Sequence, residues 1–214
     1  MEILLDTANL DEIKEYSKVP WISGVTTNPT FFKKQGIKNI EEFISTYFKI
    51  TKQKLHLELM DEADEHYFTG DHKITAKVPY SPEGVSKIAH YKNLGIKVNV
   101  HLVYSVNQAL IAAKARADYI CVLMGRLDDV GQDSFDTLSK MKKVYDTYRD
   151  SHGIVTKIMG ASIRHPKHVE QAAMIGLDSI TIPYSILTKM HDHPLTSRGI
   201  LEFEKDNCGK PLYG

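Results

Sequence analysis

Eight short apolar segments, each followed by a stretch with helical spacing, run along the whole chain and constrain its fold more than any other feature. The segments are residues 2–6 (EILLD), 24–28 (GVTTN), 55–60 (LHLELM), 74–78 (ITAKV), 97–103 (KVNVHLV), 119–124 (YICVLM), 154–159 (IVTKIM) and 179–183 (SITIP). Between them, helical spacing predicts helices over 10–18, 40–49, 82–94, 105–116, 132–148, 166–175 and 184–190. Ser81-Pro82 and His165-Pro166 place proline where a helix starts, and Gly95 and Gly176 follow helix ends. Strands separated by helices run parallel and are joined by right-handed crossovers. Eight units in 214 residues leave about 27 residues each, which fits a compact (β/α)8 TIM barrel with parallel strands, one domain over 1–214. The other α/β solution, an open doubly wound sheet, usually carries a glycine-rich phosphate turn after its first strand. Here that strand runs into Asp6-Thr7-Ala8-Asn9, with no glycine. Residues 196–214 begin as a charged amphipathic helix and then lose periodicity, so they are expected to pack on the barrel or reach a neighbouring subunit.

Charge and composition narrow the function. Lys and Arg number 27, as do Asp and Glu, so the formal net charge is zero and the long-range field behind most non-specific nucleic-acid affinity is missing. No nucleic-acid partner is expected. No stretch approaches the roughly 18–20 apolar residues of a spanning helix, and the first residues lack a basic leader, so the expectation is a cytoplasmic protein without membrane contact. The two cysteines stand in different contexts, Cys121 in an apolar run and Cys208 in a polar tail, which suits reduced thiols better than a bridge. Cys121 reads as a small buried hydrophobe and Tyr145 and Tyr148 as packing residues. His165 with His168, and His191 with His193, lack a third ligand at a recognisable spacing and read as solvated loop histidines, with no metal expected.

Side chains alternate across a strand, so the parity of polar residues is informative. One parity is apolar: Leu5, Val25, Leu57, Leu59, Ile74, Ala76, Val78, Val98, Val100 and Leu102, all expected to face the helices. The other parity carries Asp6, Thr26, Asn28, His56, Glu58, Lys77, Asn99 and His101, with Ser162 just past the seventh strand. For a single segment such alternation equally marks an antiparallel strand with one wet face. Taken with the helical spacers, it places polar groups at the carboxyl ends of barrel strands, where barrel enzymes keep their active sites.

Lys77, between Ala76 and Val78 and followed by Pro79, is the most informative of them. A lysine pointing into a barrel cannot easily reach water, and burial favours the neutral amine, the form that attacks a carbonyl carbon. An isolated strand lysine also suits a sheet edge. Asp6, Glu58 and His101 in the same lumen would supply the proton transfers that iminium chemistry needs. Arg126 after Met124-Gly125, with Ser162 and Arg164 in Gly160-Ala161-Ser162-Ile163-Arg164, form a candidate phosphate clamp at the same end. Pairing of both arginines with surface carboxylates such as Asp128 and Asp129 accounts for their positions equally well.

In order, these segments resemble the transaldolase family, in particular its short members, which include the fructose-6-phosphate aldolases. The resemblance covers nearly the whole chain and is carried by Leu5-Asp6-Thr7-Ala8-Asn9, Gly24-Val25-Thr26-Thr27-Asn28-Pro29, Lys77-Val78-Pro79, Gly125-Arg126-Leu127-Asp128-Asp129, Gly160-Ala161-Ser162-Ile163-Arg164 and His193-Pro194-Leu195-Thr196. It implies a class I aldolase barrel with no metal or organic cofactor. Lys77 falls on the Schiff-base lysine, Asp6 on the aspartate that handles the substrate hydroxyl proton, and Asn28 on the asparagine that bonds the donor sugar, with Thr26 beside it. Arg126, Ser162 and Arg164 fall on phosphate-binding positions, and the short members commonly form homo-oligomeric rings, pentamers or decamers, through the C-terminal helix. Glu58 stands where transaldolases have glutamate and fructose-6-phosphate aldolases glutamine, which favours transfer.

Three positions depart from the family pattern. His101 replaces a threonine that helps hold the catalytic water, and Cys121 and Leu123 replace a small residue and an aromatic one at the pocket floor. The expected function is transfer of a dihydroxyacetone unit from a ketose phosphate to an aldose phosphate, as in the pentose phosphate pathway. The alternatives are cleavage releasing dihydroxyacetone, a divergent enzyme for another ketose, and a non-catalytic sugar-phosphate-binding barrel.

Overall fold

A computed structural model describes residues 1–70, 73–207 and 209–211. Its strands are β1 (Glu2–Asp6), β2 (Ile22–Thr26), β3 (Lys54–Glu58), β4 (Ile74–Pro79), β5 (Lys97–Val103), β6 (Tyr119–Leu123), β7 (Lys157–Ala161) and β8 (Ser179–Ile182). All pair in parallel with their sequence neighbours, and β8 closes on β1, so the chain forms the (β/α)8 barrel. The helices are α1 (Leu10–Tyr16), α2 (Pro29–Gln35), α3 (Ile40–Ile50), α4 (Pro82–Ser86), α5 (Ile88–Asn93), α6 (Val106–Lys114), α7 (Met124–Asp129), α8 (Ser134–His152), α9 (Pro166–Ile175), α10 (Tyr184–Lys189) and α11 (Pro194–Asp206).

Register sorts the lumen into layers of four side chains taken from alternate strands, the packing that fills a barrel of this size. Leu4, His56, Asn99 and Met159 make one layer; Thr26, Lys77, Cys121 and Thr181 lie above it; Asp6, Glu58, His101 and Ala161 form the rim. Contacts within the layers agree: Asn99 Nδ2 is 3.0 Å from His56 Nδ1 and 3.7 Å from Met159 Sδ, and the Thr26 and Thr181 hydroxyls are 2.6 Å apart. Residues of opposite parity, such as Leu5, Val25, Leu57, Ala76, Val98 and Ile120, pack outward against the helices in the main core.

Several expectations need correction. Leu102 was expected to face the helices, but β5 carries an irregularity between Val100 and Val103 and Leu102 has φ 58°. The extra residue sends both His101 and Leu102 to the cavity and returns Val103 to the outer core. The seventh strand starts at Lys157, three residues later than the apolar run suggests, because α8 continues to His152 and Gly153 (φ 63°) must turn the chain first. Helix α2 was not anticipated although Asn28-Pro29 is a helix-start signature: the Asn28 side chain accepts from Phe31 N–H and Pro29 takes the first turn. The stretch 82–94 divides into α4 and α5.

His168 is not solvated; it is 2% exposed and lies 2.8 Å from Asp128. Tyr145 is buried with its hydroxyl on the Ala109 carbonyl at 2.7 Å, whereas Tyr148 is largely exposed. Helix α11 contains no buried residue, and Leu195, Leu201 and Phe203 are exposed on it, so it does not pack into the barrel core. Cys208 lies outside the described residues. No helix among the described residues is long and apolar enough to cross a membrane.

Candidate active site

The carboxyl ends of the strands open into a cavity of about 490 Å³ that contains Asp6, Thr26, Asn28, Glu58, Lys77, His101, Cys121, Leu123, Arg126 and Ser162. Of the predicted site residues only Arg164 is absent from its lining. Lys77, in the fourth strand, is 6% exposed, donates from Nζ to the Thr27 carbonyl at 2.7 Å and lies 3.6 Å from Glu58 Oε2. Glu58 Oε1 is 2.5 Å from His101 Nε2, so carboxylate, imidazole and amine form one continuous group.

Asp6 enters from β1. Its Oδ1 accepts from the Thr26 hydroxyl at 2.8 Å, and Thr26 is joined to Thr181. Burial pushes the Asp6 carboxyl above the usual aspartate range, opposed by the charge of Lys77 and the Thr26 hydrogen bond. A carboxylate held this way is a stronger base than one in water. Asn28 spends its Oδ1 capping α2 at 3.1 Å from Phe31 N, which leaves its amide nitrogen to donate. Burial holds Cys121 as a thiol, with its pKa pushed up to about 12, so this position carries no anionic sulfur near neutral pH. Leu102, Leu123, Met159 and Ala161 continue from it as an apolar wall.

Beneath Lys77, His56 is fully buried and its pKa is lowered to about 3, by burial first and then by Lys77, Lys54 and Lys97. Because Asn99 donates to His56 Nδ1, the neutral ring carries its proton on Nε2. A neutral imidazole places no positive charge of its own next to the Lys77 nitrogen.

The residues of the candidate phosphate clamp are divided. Arg126, in α7, lines the cavity with a nitrogen 3.5 Å from the Tyr104 hydroxyl, and Ser162 lines it at φ 55°. Arg164 forks onto Asp129 with two nitrogens, which is the carboxylate pairing weighed above for both arginines and found here for one. Sequence reasoning missed Thr181, Phe31 and Lys34 in the cavity lining. Period-two spacing in β8 marks Thr181, and the Asn28-Pro29 cap would have revealed the helix that carries the other two.

A larger cavity, about 720 Å³, lies at the opposite end of the barrel among Lys114, Arg116, His152 and Lys157. Lys114 and His152 sit in the last turns of helices, where cations offset exposed carbonyls. Among the described residues no group of three or more His, Cys, Asp or Glu is arranged to hold a metal ion.

Known proteins resemble this chain over nearly its whole length. The family model for transaldolase/fructose-6-phosphate aldolase matches residues 3–63 and 56–210. A protein of an Exiguobacterium species named "Probable transaldolase" is 38% identical over 96% of this chain and 97% of its own length. Proteins of the same name from Methanococcus maripaludis and Nitrosopumilus maritimus are each 40% identical over 96% of this chain, covering 97% and 94% of their own lengths. With a closed parallel barrel, a buried lumen lysine and this extent of similarity, the chain belongs to the transaldolase/fructose-6-phosphate aldolase family.

Proposed function

We propose that the protein is a Schiff-base-forming transaldolase that moves a dihydroxyacetone unit between sugar phosphates. The observation that carries this reading is Lys77, buried in the lumen with Glu58 and His101 bonded together beside it. Its Nζ attacks the C2 ketone of fructose 6-phosphate or sedoheptulose 7-phosphate. The carbinolamine loses water as Glu58 and His101 pass protons, leaving an iminium. Asp6 accepts the C4 hydroxyl proton; the C3–C4 bond breaks, its electron pair enters the iminium, and an aldose phosphate departs. The enamine attacks a second aldose phosphate, Asp6 returns the proton, and hydrolysis frees the new ketose.

Asn28 donates to the bound three-carbon unit, and Arg126, Ser162 and, one step back, Arg164 hold the phosphate so that the ketone meets the amine. Such an enzyme serves the pentose phosphate pathway in the cytoplasm and needs no cofactor. Fructose 6-phosphate given with and without erythrose 4-phosphate tests the reading: product only with the acceptor supports transfer. Dihydroxyacetone released without an acceptor means cleavage instead. Borohydride quenching should add the mass of the reduced sugar at Lys77, and an unaltered mass refutes the Schiff base.

A further inference from the structure

Three ties join α7 to the turn after β7 and the start of α9. Gly125 N–H donates to the Ser162 carbonyl at 3.1 Å, Arg164 forks onto Asp129, and His168 Nε2 lies 2.8 Å from Asp128 Oδ2. The first two hold residues already placed at the anion end; His168 lines no part of the cavity and has no step in the proposed reaction. It is nevertheless buried, in the first turn of α9. Its partners define its form: Nδ1 accepts the Arg164 backbone N–H at 3.4 Å, so Nε2 carries the proton and donates to Asp128. Asp128 in turn accepts from the backbone N–H and hydroxyl of Ser134, the first residue of α8, at 3.1 and 3.2 Å.

A connected path thus runs from α8 and α9 to the backbone two residues past Ser162. Ser162 sits at φ 55°, a left-handed conformation that a serine keeps only when its surroundings hold it. The two segments also touch directly: a Cβ on Gly125 would lie 2.5 Å from both Arg164 Nε and the Ser162 carbonyl oxygen. A displaced turn therefore displaces α7, which carries Arg126. Burial, with His165 and Arg164 nearby, disfavours a second proton on His168, while Asp128 favours it; the balance falls below the ordinary histidine value.

Resting on the reading of the cavity as a sugar-phosphate site, we propose that His168 is a positioning residue: held by Asp128, it fixes the turn so that Ser162 and Arg126 meet the substrate phosphate. The purified full chain is compared with His168→Leu and His168→Gln, using fructose 6-phosphate and unphosphorylated fructose as donors with one acceptor. His168→Leu should raise KM for fructose 6-phosphate about tenfold with kcat little changed, and spare kcat/KM for fructose. His168→Gln, which retains a donor for Asp128, should recover most of the loss. If His168→Leu does not fold, Asp128→Asn should show the same split. An equal loss on both donors, or no change, overturns the proposal. Inorganic phosphate binding, titrated calorimetrically, separates it from failure of the aldol reading. Weakening of about tenfold in the leucine variant sustains the positioning role even in a protein that turns over no ketose, whereas equal binding by parent and variant overturns it.

Discussion

Lys77 is held by a backbone carbonyl rather than by a carboxylate in close contact: Thr27 O is at 2.7 Å and Glu58 Oε2 at 3.6 Å. The nitrogen is therefore fixed in place while one carboxylate oxygen remains within reach for proton transfer. Lys77→Met should abolish the borohydride adduct and turnover while leaving the barrel folded, as read by mass spectrometry and circular dichroism. Asp6→Asn keeps an acceptor for Thr26 but cannot take the C4 proton. It should lower kcat by roughly 10²–10⁴-fold and still trap substrate on Lys77. Thr181→Val removes a hydroxyl that supports Thr26, 2.6 Å away, and through it Asp6. A stability loss of about 1 kcal/mol and a several-fold drop in kcat are expected, and denaturation alongside steady-state kinetics checks both. His101→Thr tests the proton relay, since full retention of activity would leave the imidazole without a role.

At the scale of elements, short caps and bulges decide where the reactive groups point. The irregularity in β5 turns two consecutive side chains inward and lets an imidazole reach Glu58, with a leucine beside it. The cap of α2 uses one end of the Asn28 amide and leaves the other free to donate into the cavity, as the proposed function requires. Tight connections carry their own costs. Arg116 follows α6 at φ 67°, where the turns after α2, α8 and α9 use Gly36, Gly153 and Gly176. Arg116→Gly should therefore raise stability by about 0.5–1 kcal/mol, read as a higher denaturant midpoint at an unchanged slope. Gly24→Ala should do the reverse, because its Cβ would collide with the Lys54 carbonyl oxygen and push β2 from β3. A loss of about 1–3 kcal/mol follows from overpacking of that kind.

For the molecule as a whole, the polar lumen makes acid stability depend on the groups packed around Lys77. His56 stays neutral in the barrel down to about 3, whereas an unfolded histidine takes up a proton near 6.5. Between those values the unfolded chain binds the extra proton, so stability is lost as pH falls, at up to about 1.4 kcal/mol per pH unit, and His56 adds no slope above that window. Asp6, shifted upward, contributes with the opposite sign: its share is present below the ordinary aspartate value and disappears as pH rises through its folded value. Replacing His56 with Gln should flatten the loss between about pH 6.5 and 4, measured as urea midpoints; parallel curves for parent and variant would falsify the assignment.

Alternating segments and their parity were sufficient to read the barrel, its eight strands and a lumen containing Asp6, Glu58, Lys77 and His101, because a strand's period of two and a helix's repeat are local properties of the chain. Resemblance of the motifs sufficed for the family. Local pattern left open whether Arg164 pairs with Asp129, and did not disclose the inward turn of Leu102 or the burial of His168 against Asp128. The two pairings join groups 35 and 40 residues apart in sequence, and the turn of Leu102 comes with a shift of register between β5 and β6, so all three exist only once the barrel has closed.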